Sequence, residues 1–151
     1  MDNTEDLLVI TAIKSDKKAI QRFYKQQKYS ASFLGFDHCY LIKSNGTIIA
    51  SVIISFIESN NQQAFLHALV VDKKHQKRGI ATKLINSIES NYSSIICFAN
   101  SNMIDFYQKL DFQVTNSELI KPIIEKRFIR YKQNSPNLLR LIKFNPPSIS
   151  H

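Results

Sequence analysis

The chain has 151 residues, 44% of them hydrophobic, with 20 lysines and arginines against 12 acidic residues and a formal charge of +8. That length fits one domain burying about two thirds of its unfolded surface, and the composition excludes a disordered chain. The charge favours an anionic partner, whether a nucleotide, an RNA or an acidic surface, and does not choose among them.

Residues 1–6 are acidic, unlike a signal peptide. Residues 7–13 are apolar and β-branched and predict a first strand. Ser15 is placed to cap a helix in which Ala19, Ile20, Phe23 and Tyr24 form one stripe against Lys17, Lys18, Gln21 and Arg22. Residues 25–32 are polar and, with Phe33-Leu-Gly-Phe36, predict a loop or a short helix. Residues 38–43 and 47–57 are β-rich and flank Ser44-Asn45-Gly46. Asn-Gly is the preferred centre of a two-residue hairpin, because both residues tolerate positive φ. The second run is too short and too rich in Ser and Thr to span a bilayer. Residues 58–63 form a polar connection to an apolar strand at 64–71, interrupted by His67.

A basic turn follows, Asp72-Lys-Lys-His75 and Gln76-Lys-Arg78, and Gly79 then opens a helix. Ile80, Ala81, Leu84, Ile85 and Ile88 share one face of that helix. Residues 94–99 predict a short buried strand beside 64–71, reached by a parallel crossover. Asn102 and Asp105 have capping-box spacing ahead of a helix whose Met103, Phe106, Tyr107 and Leu110 share a face. Residues 112–115 predict a strand, 116–125 a loop containing Pro122, and 126–132 a final alternating strand. The domain is therefore expected over 1–133, with 134–151 a partly ordered C-terminal appendage. Cys39 and Cys97 sit inside apolar runs and read as core residues of a reduced, cytoplasmic protein. No spacing suits a metal, and no Ser/His/Asp arrangement is present.

Three features can carry chemistry. The turn 76–82 precedes a helix N-terminus; Gly79 and the small Ala81 keep its amides accessible, as a pyrophosphate requires. Alternation puts His67 on the strand face of Phe65, Leu69 and Val71, where a neutral imidazole can take a proton directly or through water. Tyr107 is a phenol among apolar neighbours, able to donate a proton to a thiolate. Taken singly, each also suits a structural role: a solvated turn, a core histidine and a packed aromatic.

Together they resemble the GCN5-related N-acetyltransferase (GNAT) superfamily. Gln76-Lys-Arg-Gly-Ile-Ala81 matches its Q/R-x-x-G-x-G/A signature, and Asn100 with Phe106-Tyr-Gln-Lys-Leu-Asp-Phe112 matches its later N…FYxKxGF element. The resemblance implies an α/β (α+β) fold with a mixed, mostly antiparallel central sheet splayed into a V and helices on both faces. It implies acetyl-CoA as co-substrate, with no metal. The backbone of Leu69, Val70 and Val71 would meet the pantetheine arm. Gln76, Lys77, Arg78, Gly79, Ile80, Ala81 and Thr82 would hold the pyrophosphate, and Asn100 would contact the cofactor. Tyr107 would protonate the thioester sulfur, His67 would serve as base, and the Leu69 N–H would polarise the carbonyl.

Residues 66–71 are also similar to the strand of arylalkylamine N-acetyltransferases that carries two histidines one residue apart; here Phe65 stands in place of the first. Asp111 stands where the family has glycine, at a position that favours left-handed backbone. The expectation is a cytoplasmic N-acetyltransferase acting directly on a primary amine of a small molecule or peptide, as a monomer or homodimer, with no membrane. Two rivals are a toxin acetylating aminoacyl-tRNA and a non-catalytic module binding acyl-CoA or RNA.

Overall fold

The computed structural model describes residues 7–30, 37–56 and 63–145. The sequence expectations for 1–6, for Phe33 to Phe36, for the 58–62 connection and for 146–151 lie outside them. Within the described residues the strand order is β1-β2-β3-β4-β5-β7-β6, a mixed α/β fold with a mostly antiparallel open sheet flanked by helices. No described helix is long and apolar enough to cross a membrane. The chain divides into two compact units, residues 1–55 with 66–88, and 56–65 with 89–151.

In the first unit, β1 (Val9–Thr11) pairs antiparallel with β2 (His38–Ser44), and β2 with β3 (Thr47–Ser55). Asn45 (φ 53°) and Gly46 (φ 80°) are both left-handed, and Ser44 pairs with Thr47 across them. That is the tight hairpin the Asn-Gly pair predicts. The first strand is shorter than expected, because Lys14–Asp16 turn as a 3-10 segment ahead of α1 (Lys17–Gln26). Ser15 does not cap α1; the carboxylate of Asp16 instead accepts the Ile13 N–H at 2.9 Å. Ile20, Phe23 and Tyr24 are buried with Cys39, Leu41, Ile48, Ile53 and Ala68, whereas Ala19, expected in that stripe, is exposed.

Helix α1 closes with Lys28 left-handed at φ 57°. The Tyr29 N–H donates back to the Tyr24 carbonyl and the Lys28 N–H to the Lys25 carbonyl. These bonds form a Schellman closure, completed by contact of the Tyr24 and Tyr29 rings. Strand β4 (Gln63–Val71) ends at the basic turn, and α2 (Ile80–Ile88) follows it with Ile80, Leu84, Ile85 and Ile88 buried as predicted and Ala81, of the same expected face, half-buried.

In the second unit, β5 (Ser94–Asn100) leads through a 3-10 turn into α3 (Ile104–Gln108) and β6 (Gln113–Val114). The expected capping box is not formed: the cap position of α3 is Met103, which makes no side-chain bond and is 44% exposed. Two larger corrections come next. Residues 126–132, expected as a strand, belong to α4 (Pro122–Lys132), which Pro122 opens at a position where its missing N–H is harmless. Residues 138–144, expected within an appendage, form β7 (Leu138–Phe144), which pairs antiparallel with both β5 and β6.

The core of this unit joins Phe65, Ile96, Ile120, Ile124 and Ile142. Two of its cations, Arg140 and Lys143, have partners within the same unit. Arg140 forks onto Glu125 and stacks 4.0 Å over the Phe128 ring, while Lys143 donates to Glu89 and to the Leu110 carbonyl.

Candidate active site

Strand β4 is irregular at its centre. Ala68 has φ 55°, a left-handed conformation that is uncommon for a residue with a Cβ and unusual inside a strand. It is a local departure from strand backbone beside His67, while Ala68 and Val70 still pack against the same apolar cluster. Two polar anchors surround the irregularity. On one side, His67 is half-buried and its Nε2 lies 2.6 Å from the Oγ of Ser55, a fully buried serine of β3. On the other, the Tyr24 hydroxyl reaches from α1 to the Ala68 carbonyl at 2.7 Å. Ser55 lies in an apolar β run and Tyr24 in an amphipathic stripe, and the polar role of each appears only when another strand or helix arrives.

Beyond Val71 the chain is pinned by Asp72. Its N–H donates to the Ile49 carbonyl at 2.7 Å, and its carboxylate meets Gln27 Nε2 at 2.8 Å and His75 Nδ1 at 2.9 Å. The hydrogen bond with His75, then that from Gln27 and the imidazole charge, hold the Asp72 carboxyl below its usual pKa. His75 has no partner in any sequence motif, yet it fixes the approach to the turn. The Gln76 side-chain amide folds back on the Val71 carbonyl at 3.1 Å.

Lys77 (φ 65°) and Gly79 (φ 75°) are both left-handed, and the exposed turn they form leads directly into α2. Such residues let successive N–H groups converge on one anion. Intrahelical bonding begins with the Lys83 N–H donating to the Gly79 carbonyl at 3.0 Å. Helix geometry therefore leaves the N–H groups of Ile80, Ala81 and Thr82 without intrahelical acceptors. They bear the partial positive charge of the helix end, with Lys77 and Arg78 beside them. A Cβ built on Gly79 meets nothing within 4 Å, so its backbone angle, not crowding, requires the glycine.

In the second unit, Asn100 ends β5 exposed, and its side chain makes no capping bond. Tyr107 lies on α3, buried, with Phe106 and Phe112 edge-on at 5.0 and 5.5 Å between ring centroids. Its position is set by a second Schellman closure. The Phe112 N–H donates to the Tyr107 carbonyl and the Asp111 N–H to the Gln108 carbonyl, with Asp111 left-handed at φ 68°. The departure from glycine at Asp111 therefore retains the backbone angle expected there. Gln63 accepts the Lys121 N–H and donates to the Leu119 carbonyl, both at 3.0 Å, and so ties the segment ahead of α4 to the start of β4.

A strand with an irregular centre thus leads through a left-handed turn into a helix whose first N–H groups lack intrahelical acceptors. The chain belongs to the acetyltransferase (GNAT) family, whose model matches residues 8–112. Its fold is that of several solved structures. An aminoglycoside 6'-N-acetyltransferase complexed with coenzyme A is 12% identical, with a TM-score of 0.68 over 95% of this chain and 99% of that one. A GNAT family acetyltransferase from Elizabethkingia anophelis with acetyl-CoA bound is 16% identical, with a TM-score of 0.59 over 96% of this chain and 100% of that one. N-acetylglutamate synthase from Neisseria gonorrhoeae, complexed with coenzyme A and N-acetyl-glutamate, is 15% identical with a TM-score of 0.65. The match takes 91% of this chain but spans 35% of the synthase. No curated protein sequence matches the chain.

Proposed function

We propose that the protein is an acetyl-CoA-dependent N-acetyltransferase that moves the acetyl group directly onto a primary amine in a ternary complex. The observation that carries this reading is the turn 76–82: two left-handed residues, a helix N-terminus and two cations gathered where a strand ends. That donor set suits a pyrophosphate, and the solved structures of the same fold described above hold coenzyme A or acetyl-CoA.

In this reading the amides from Lys77 to Thr82 hold the pyrophosphate, Gln76 orders the turn through Val71, and the backbone of Leu69, Val70 and Val71 meets the pantetheine. Asn100 contacts the cofactor. The amine nitrogen attacks the thioester carbon while the Leu69 N–H stabilises the developing oxyanion. His67, its ring plane held by Ser55, takes the proton that the ammonium must lose, directly or through water. The C–S bond breaks as Tyr107 gives its phenolic proton to the sulfur; the proton that the new amide nitrogen sheds restores the phenol through solvent, and free CoA leaves. No acyl-enzyme forms. The cysteines suit that mechanism: burial pushes the Cys39 thiol up to about 11 and raises that of Cys97 further, so neither is an activated nucleophile.

The test is a melting curve with and without acetyl-CoA, followed by an amine panel read by free CoA. At a hundred times its Kd the ligand should stabilise the fold by about 2.7 kcal/mol, on the order of 5–10 °C in Tm. No shift at any concentration would refute the reading. The panel spans small amines, polyamines, aminoglycosides, amino acids, peptide N-termini and charged tRNA, and the last arm separates a toxin from a small-molecule enzyme.

A further inference from the structure

The peptide joining Ala68 to Leu69 is a single rigid plane. A trans amide points its C=O and its N–H in opposite directions, so whatever fixes the Ala68 carbonyl also aims the Leu69 N–H. In this chain the carbonyl is fixed by a side chain. The Tyr24 hydroxyl lies 2.7 Å from it, and the Ser51 Oγ lies 2.9 Å from the Tyr24 oxygen. Cys39 Sγ lies 3.2 Å from the same Ser51 oxygen. All four residues are buried, Ser51 completely.

Counting protons orders the chain. A carbonyl can only accept, so the single phenolic proton of Tyr24 goes to Ala68. The Ser51 hydroxyl then donates to the phenol oxygen, and the Cys39 thiol is left to donate to Ser51. Burial, the largest influence on the phenol, raises its pKa well above the usual range and so keeps the proton in place.

The left-handed φ of 55° at Ala68 is the second observation. An L-residue there is strained by about 1–2 kcal/mol, and such a conformation persists only where its surroundings over-determine it. The Tyr24 bond supplies that constraint. It reaches a strand carbonyl from a helix, and it does so at the residue whose rotation decides where the next N–H points.

We propose that Tyr24 is a positioning residue for acetyl transfer: through the relay Cys39–Ser51–Tyr24 it clamps the Ala68 carbonyl and thereby aims the Leu69 N–H at the thioester oxygen. The proposal rests on the acetyl-CoA reading above. Hydrogen bonds in series polarise one another, so a bonded Ala68 carbonyl also makes the amide a stronger donor at its N–H end.

The experiment is the infrared carbonyl stretch of acetyl-CoA labelled with carbon-13 at the carbonyl, bound to the parent and to Tyr24→Phe, with kcat, KM and the Kd of CoA measured alongside. A polarised carbonyl absorbs at lower frequency. The parent should show the lowered stretch, and Tyr24→Phe should lose most of it. Because the donor is misaimed but not deleted, kcat should fall about ten- to a hundredfold. The affinity for CoA, which has no acyl carbonyl, should change less than about twofold.

A merely structural role would weaken CoA binding and leave the stretch of the remaining bound ligand where it was; that result overturns the proposal. So does an unchanged stretch with unchanged kcat. Should Tyr24→Phe fail to fold, 3-fluorotyrosine at position 24 retains the bond with a more acidic donor. It should lower the stretch further, and no movement there also overturns the clamp. If acetyl-CoA does not bind the parent, or binds without a lowered stretch, the functional reading or its oxyanion donor has failed instead.

Discussion

At the scale of single residues, the groups around the proposed site are held by polar neighbours. Two of these lie outside any motif, and one, Gln76, stands at the head of the turn motif. Ser55 holds His67, Asp72 holds His75, and Gln76 holds the end of β4. His67→Gln should therefore lower kcat/KM about a hundredfold and flatten the acid limb of the pH–rate profile. Ser55→Ala should retain the limb with a smaller loss. Tyr107→Phe should lower kcat with little effect on the affinity for CoA, and an unchanged turnover at all pH values would remove it from the mechanism.

Two other residues are strained for a reason visible in the backbone. Lys28 and Asp111 are both left-handed at Schellman closures. Lys28→Gly should stabilise the protein by about 1 kcal/mol and Asp111→Gly by about half that, since Asp tolerates the conformation better. The gain is read as a rise of a few degrees in Tm, and a fall in both would contradict the strain.

At the scale of elements, β7 and α4 carry the second unit. Strand β7 gives backbone partners to β5 along seven register positions, from Ser94↔Phe144 to Asn100↔Leu138, and to β6 at two. A chain ended at Gln133 would leave those ladders unpaired and open the core around Ile96 and Ile124. It should be insoluble or show no cooperative melt. Ile142→Ala, 3% exposed in the parent, should fold with a loss of about 3 kcal/mol. A soluble truncated chain with a sharp transition would show that β7 is dispensable.

The reasons these elements escape the sequence are specific. In α4, Ile124 and Phe128 face the core four residues apart, but Ile123, Ile129 and Tyr131 are exposed. Apolar residues on both sides of the helix blur its 3.6-residue period into an apparent alternation. In β7, Arg140 and Lys143 interrupt the apolar run, and the groups that satisfy them, Glu125, Glu89 and the Leu110 carbonyl, are all distant in the chain.

At the scale of the whole molecule, the formal charge of +8 gives every anion a favourable approach, and the left-handed turn at 76–82 is where the proposed function seats the pyrophosphate. Stability and reactivity are linked at this scale through the two thiols. Both are buried, and the Cys39 thiol at about 11 would be only about one part in a thousand thiolate at pH 8. A disulfide reagent should label neither cysteine in the native protein and both after unfolding, at a rate that follows the unfolded population. Rapid labelling of the folded chain would contradict their burial.

The sequence by itself determined the local features. Asn45-Gly46 closes a hairpin because both residues accept positive φ; Gly79 ends a basic turn for the same reason, and the apolar stripe of α2 is buried as its period requires. The family also followed from two local motifs in register. Tertiary structure alone decided the rest. Whether 126–132 winds as a helix depends on the core it meets, and whether 138–144 joins the sheet depends on strands up to fifty residues away in the chain. The left-handed Ala68 in an apolar strand has its carbonyl bonded by a tyrosine forty-four residues earlier. Backbone preference is a property of a few neighbouring residues, whereas the partner of a buried polar atom is chosen only when distant segments pack.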